Sequence, residues 1–103
     1  MSEEKIVVHV DIDLKDLIPG FLENRRNDLQ RLMHALQEND LVTLRSIGHN
    51  LKGVGGGYGF LGITDIGTAL EDSAKSNNLE TANENIKKLS HYLSHIEVSY
   101  VEG

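Results

Sequence analysis

At 103 residues the chain has room for one small domain with a single core. It contains no cysteine, which excludes disulfides, zinc–thiolate sites and thiol nucleophiles. A net charge of −6 disfavours nucleic acid or an anionic membrane surface as the main partner, and no apolar run approaches the ~20 residues that cross a bilayer.

The start of the chain, Met1 to Lys5, is polar, and the run Ile6-Val7-Val8 behind it is too short for a signal-peptide core. A cytoplasmic location is therefore expected. Residues 1–12 read as an extended N-terminal arm, because the β-branched stretch Ile6-Val7-Val8-His9-Val10 has no evident partner strand. Asp11 and Asp13 suit the cap of a short helical turn over Leu14, Leu17 and Ile18. Pro19 fits a first helical turn, and a helix is predicted from about Pro19 to Gln37. Its apolar positions are Phe21, Leu29, Leu32, Met33 and Leu36, with Arg25, Arg26, Asp28 and Arg31 on the polar side. Glu38-Asn39-Asp40 ends it, with Asp40 placed to cap the next helix.

The second helix runs from about Leu41 into a glycine-rich stretch that ends at Gly62. At about 100° per residue, Leu44, Ile47, Gly48, Leu51, Val54, Gly55 and Tyr58 share one face. His49 points the other way, flanked by Val42, Arg45, Ser46, Lys52, Gly53 and Gly56. A third helix is expected over about Gly62 to Ser76, with Ile63, Ile66, Leu70 and Ala74 inward and Glu71, Asp72 and Lys75 outward. After the turn signal Asn77-Asn78, a last helix carries Leu79, Ala82, Ile86, Leu89, Leu93, Ile96 and Tyr100 in heptad-like steps. Four amphipathic helices with short connections predict an all-α, antiparallel up-down four-helix bundle over residues 13–103.

An exposed histidine on a helix is ordinarily just a solvated side chain. Four features set His49 apart. Lys52 lies one turn along on the same face; Gly53 and Gly56 strip that face of side chains; Val42 leaves an apolar residue there; and the helix carries a glycine run that each time costs ~1 kcal/mol relative to alanine. Gly48 and Gly55, on the core face, suit close helix packing instead. Other patterns fail on context. Gly57-x-Gly59-x-x-Gly62 matches a dinucleotide fingerprint, but an amphipathic helix precedes it and no βαβ unit surrounds it. A phosphate-binding loop of the Walker type needs its lysine after the glycines, not before. His91 and His95 have the i, i+4 spacing of a metal pair but lack further ligands, so no metal site is expected.

His49-x-Leu51-Lys52-Gly53-x-x-x-x-x-Gly59 resembles the signature of the histidine-containing phosphotransfer (HPt) domains of bacterial phosphorelays, and the likeness extends over about residues 13–101. The triple glycine Gly55-Gly56-Gly57 is richer than that family usually shows. The resemblance implies that His49 accepts a phosphoryl group on an imidazole nitrogen and exchanges it with the aspartate of a response-regulator receiver domain. It implies that Lys52 stabilises phosphate oxygens and Gly53 gives the partner room. Helix geometry adds Arg45 as a second cation and Val42 with Gly56 as parts of a docking patch. No residue suggests itself to hold the second imidazole nitrogen from the core side. The chain then needs no cofactor of its own, with Mg²⁺ expected on the receiver. It would be no enzyme by itself but a phosphocarrier served by a sensor histidine kinase and a receiver, expected to be a monomer. Its polar start favours a stand-alone carrier over the related phosphoacceptor domain of a chemotaxis-type kinase. A helical interaction module that is never phosphorylated is the alternative from another class.

Overall fold

The computed structural model describes residues 4–102. A strand β1 (Ile6–Asp11) leads through a 3-10 turn (Ile12–Leu17) into four helices: α1 (Ile18–Gln37), α2 (Leu41–Gly57), α3 (Leu61–Lys75) and α4 (Leu79–His95), followed by a strand β2 (Ile96–Val101). The helices close a ring in which α1 packs on α2 and α4, and α3 packs on α2 and α4, with the α2–α3 contact the most extensive. Their inward faces form one core in which Leu32, Leu44, Leu51, Phe60, Ile63, Leu70, Ala82 and Leu89 lose all solvent contact.

The connections explain why the helices stop where they do. Segments 38–40, 58–60 and 76–78 each join two helices. The middle residue of each, Asn39, Gly59 and Asn77, has a positive φ of 53°, 88° and 60°. Asparagine and glycine tolerate that left-handed geometry best. Asp40 then caps α2 through the Thr43 backbone N–H at 3.1 Å, and Asn78 caps α4 through that of Thr81 at 3.1 Å. Phe60 starts α3 without a side-chain cap; its ring stacks at 5.1 Å on that of Phe21, which also stacks on Tyr58 at 4.4 Å.

Two expectations about the ends are overturned. The arm does have a partner strand: β1 and β2 pair in parallel, from Ile6 opposite Ile96 to Asp11 opposite Val101. The last helix correspondingly stops at His95 rather than carrying its heptad to Tyr100. Ile96 and Tyr100 fit a helical step of four, but Ile96, Val98 and Tyr100 equally fit a strand step of two. The β-branched residues Ile96, Val98 and Val101 tip that balance toward a strand once β1 is there to pair with. A parallel pair needs a long crossover, and here the whole bundle supplies it. The pairing buries Val8 and Val10 against the core.

A third correction concerns α1. Arg25 and Asp28, assigned to its polar side, are buried at 8% and 6% exposure, whereas Met33, assigned inward, is 46% exposed. Arg25 and Asp28 follow Phe21 by one and two turns and so share its inward face. The pair is tolerated there because it is internally satisfied: Arg25 Nε donates to Asp28 Oδ2 at 3.0 Å, and the guanidinium lies 4.7 Å from the Phe21 ring centre.

Candidate functional site

The site is built on the crossing of α2 and α3. Glycines set how closely these helices approach. A Cβ on Gly48 would lie 2.8 Å from the Glu71 backbone nitrogen and 3.0 Å from the Gly67 carbonyl oxygen. One on Gly67 would overlap the backbone nitrogen of Lys52. One on Gly55 would lie 2.6 Å from the Thr64 backbone nitrogen. Nothing but hydrogen fits at these three positions, so Gly48 and Gly55 serve close packing as their core-facing positions predicted. Thr64 adds a cross-helix hydrogen bond from its Oγ1 to the Lys52 carbonyl at 3.1 Å.

On the outward side of this crossing, His49 projects with its side chain 73% exposed. Its Nδ1 lies 2.9 Å from Oε2 of Glu71, whose own side chain is only 8% exposed. Two further cations reach the same carboxylate: Lys52 Nζ stands 3.6 Å from Oε1, and Lys75 Nζ stands 3.9 Å from Oε2. Burial alone pushes the Glu71 carboxyl upward, but the His49 hydrogen bond and the charges of Lys75, His49 and Lys52 together outweigh it. The net result is a carboxyl held below its ordinary range and ionised at neutral pH.

An ionised Glu71 fixes the tautomer of its partner. A carboxylate only accepts, so Nδ1 of His49 carries the proton and donates it to Oε2. In the neutral ring Nε2 is then the nitrogen with the free lone pair, at the exposed end of the side chain. Beside the imidazole opens a cleft of about 460 Å³ lined by Val42, Arg45, Ser46, His49 and Glu71. Val42 is 79% exposed at its rim. Gly53 has open space where a side chain would stand, and Gly56 has only Thr64 Oγ1, at 3.6 Å.

Of the residues singled out in the sequence, the structure thus gathers His49, Lys52, Val42 and Arg45 around one face, with Gly53 and Gly56 on the same helix. Glu71 carries no mark of a site residue in the sequence, where it falls on the outward side of α3. Its spacing is the one signal: Glu71 follows Gly67 by four residues, so it lies directly beyond the glycine that lets α2 approach. His91 and His95 stand elsewhere, their rings stacked at 4.0 Å, with His95 Nδ1 donating to the His91 carbonyl at 2.7 Å. Among the described residues no group of three or more metal-ligating side chains occurs.

A family model, that of the Hpt domain, matches residues 16–98. The chain belongs to the Hpt-domain family. Hpt domains are phosphocarrier modules of two-component signalling rather than enzymes in the usual sense, and they work between kinases and response regulators. No curated protein and no solved structure matched the chain. No helix among the described residues is long and apolar enough to cross a membrane.

Proposed function

We propose that this Hpt domain carries its phosphoryl group on Nε2 of His49 and exchanges it with the aspartate of a response-regulator receiver domain. The observation that carries this reading is the Nδ1–Glu71 hydrogen bond, which leaves Nε2 as the free, outward-facing nucleophile. The Nε2 lone pair attacks the phosphorus of the partner's aspartyl phosphate. The N–P bond forms, the acyl-phosphate O–P bond breaks, and the aspartate leaves as carboxylate. No proton has to move: the positive charge that develops on the ring is met by Glu71 through the Nδ1 proton. In the reverse direction the same ring departs as a neutral imidazole.

Phosphoryl transfer depends chiefly on in-line positioning and charge neutralisation. Lys52 and Lys75 supply cations on this side. Their side chains are about half exposed, and their contacts with Glu71 are long, so both can turn to the phosphate oxygens once these arrive. The receiver contributes its acceptor aspartate and a Mg²⁺. Val42, Arg45, Gly53 and Gly56 form the ground on which it docks, a small patch suited to weak, transient binding. The three short turns support an antiparallel up-down order of the helices. We take the protein to act as a monomer in the cytoplasm, phosphorylated only when a kinase or phosphorylated receiver is present.

The test mixes a radiolabelled phosphoreceiver with wild-type protein and with His49→Ala. Label should move to the first and not to the second, and should be lost in acid but retained in alkali, as for a phosphorylated imidazole nitrogen. Equal labelling of both proteins would sink the assignment.

A further inference from the structure

A second surface lies apart from His49. Two hollows, of about 480 and 390 Å³, share Ile6, Gly62 and Tyr92 and so form one groove between β1 and the α3–α4 pair. It shares no lining residue with the cleft beside His49. Along α3, Gly62 and Glu71 are separated by about 13 Å at 1.5 Å per residue.

The groove has a particular construction. Gly62 is required at its floor because the Tyr92 ring occupies the space a Cβ would need. Four consecutive residues of β1, Ile6 to His9, run along one wall. Among the described residues β2 is the one strand paired with β1, so the other edge of β1 has no strand beside it. Val7 and Leu61 stand at this edge, 52% and 68% exposed. The far wall is α4, where exposed Lys87, Lys88 and His91 face a single acid, Asp65 of α3. Neither lysine makes an ion pair among the described residues. A basic rim on a chain of net charge −6 is a local reversal of sign.

We propose that this groove is a docking site for an extended, acidic peptide segment of a partner protein, which adds as a strand to the edge of β1 along Ile6–Val8, short of the His9 carbonyl that the Gly59 turn approaches. Strand addition draws affinity from main-chain hydrogen bonds and specificity from pockets that take alternate side chains. Here an apolar residue enters between Ile66 and Tyr92. A carboxylate two residues along lies on the same face of the strand and meets the Lys87–Lys88 pair. A second copy pairing through its own β1 suits the rim poorly, since Ile6-Val7-Val8-His9-Val10 carries no acid, and Glu4 and Asp11 lie only outside it. The groove and His49 can be occupied together, so a tethered partner need not block transfer.

The probe is a fluorescent, end-blocked heptapeptide, Thr-Glu-Thr-Leu-Thr-Glu-Thr, followed by anisotropy on the full chain. Saturable binding is expected, weakened at least 10-fold by Lys87→Glu with Lys88→Glu and by aspartate in place of the peptide leucine. Both lysines are exposed, and unchanged melting of the double variant will show that it folds. A separate readout is amide exchange: bound peptide should slow exchange at Val7 and its neighbours in β1 and leave α1 unaffected. Absence of saturation at millimolar peptide, or equal affinity for wild type and the double variant, overturns the proposal. So does concentration-dependent dimerisation that protects β1 without peptide and is abolished by Val7→Lys, which would make a second copy the occupant.

Discussion

The same substitution, glycine to alanine, should act with opposite sign at two positions on the two sides of the α2–α3 crossing. In Gly67→Ala the new Cβ would stand 2.7 Å from the Gly48 carbonyl oxygen and 2.8 Å from Leu51 Cβ, besides overlapping the Lys52 nitrogen. Carbon atoms in ordinary contact sit ~3.5–4.0 Å apart, so the helices must part by about 1 Å. Two of the three obstacles are backbone, which cannot turn aside as a flexible side chain could. Overpacking of this kind costs ~1–3 kcal/mol, and more when backbone must move, against which alanine returns ~1 kcal/mol of helix propensity. A net loss of ~1–2 kcal/mol lowers Tm by roughly 4–16 °C in a domain of this size. Gly53→Ala meets nothing within 4 Å. Only the propensity gain remains there, and Tm should rise by up to ~8 °C. Circular-dichroism melts of the two variants make the comparison. The site adds a second readout. Parting the helices by about 1 Å takes the His49–Glu71 contact out of hydrogen-bond range, so Gly67→Ala should lose transfer along with stability. Gly53→Ala should gain stability while slowing transfer, because its methyl group would stand on the proposed docking ground. Melting temperatures that move in the same direction would refute the account of the crossing.

Glu71→Gln removes the charge facing the developing imidazolium and should slow phosphoryl transfer to His49 at least ~10-fold at neutral pH in single-turnover assays. An unchanged rate would reduce Glu71 to a packing residue. Lys52→Ala and Lys75→Ala should each slow transfer with melting intact, and the double variant should be slower than either; equality of all four proteins would remove both lysines from the mechanism. Stability should also fall in acid. The Thr43 hydroxyl and backbone N–H, bonded to Asp40, hold its carboxyl below the ordinary range, and Glu71 is likewise depressed. A depressed folded-state pKa gives stability that is full above the unfolded value, ~4, and is lost as pH falls through the folded value. Melts from pH 7 down to pH 3 should therefore show Tm falling below about pH 5, and Asp40→Asn should flatten part of that fall while starting from a lower Tm. A parallel drop in the variant would deny Asp40 its share.

The helices and their stops were legible because their causes are local. Asp40 and Asn78 cap from within their own segments, Asn77 announces its turn, and the inward stripe of α2 is a matter of period alone. Where the sequence misled, a distant partner decided. Ile96 and Tyr100 satisfy two periods, and only β1, almost a chain length away, selects the strand. Arg25 and Asp28 look solvated until Phe21, on the same face, is seen to offer its ring and each charge its counter-ion. Glu71 was the costliest omission, since a charged residue beside an apolar stripe ordinarily points to water. Its burial depends on how near α2 comes, which no periodicity within α3 reveals.

That nearness links the glycines to the chemistry. Helices with ordinary side chains at their contact pack 8–10 Å apart. Gly48 and Gly67 meet at the crossing, and a Cβ on either would press on backbone of the opposite helix. The main chain of α3 at Glu71 is thereby drawn against that of α2 at Gly48, one residue before His49. A glutamate side chain is short, and only from so close can its carboxylate stay buried against α2 and still reach the imidazole at 2.9 Å. Aspartate at 71 would fall short, and a wider crossing would leave glutamate short as well. The glycines on the core face thus determine whether Nδ1 is held, and through Nδ1 which nitrogen is left with its lone pair free. On the proposed reading, those on the outer face set how near a receiver comes. Helix propensity lost over one stretch of α2 is offset by packing on one side and leaves open ground beside His49 on the other, so the stretch that looks least helical is where the geometry of the site is set.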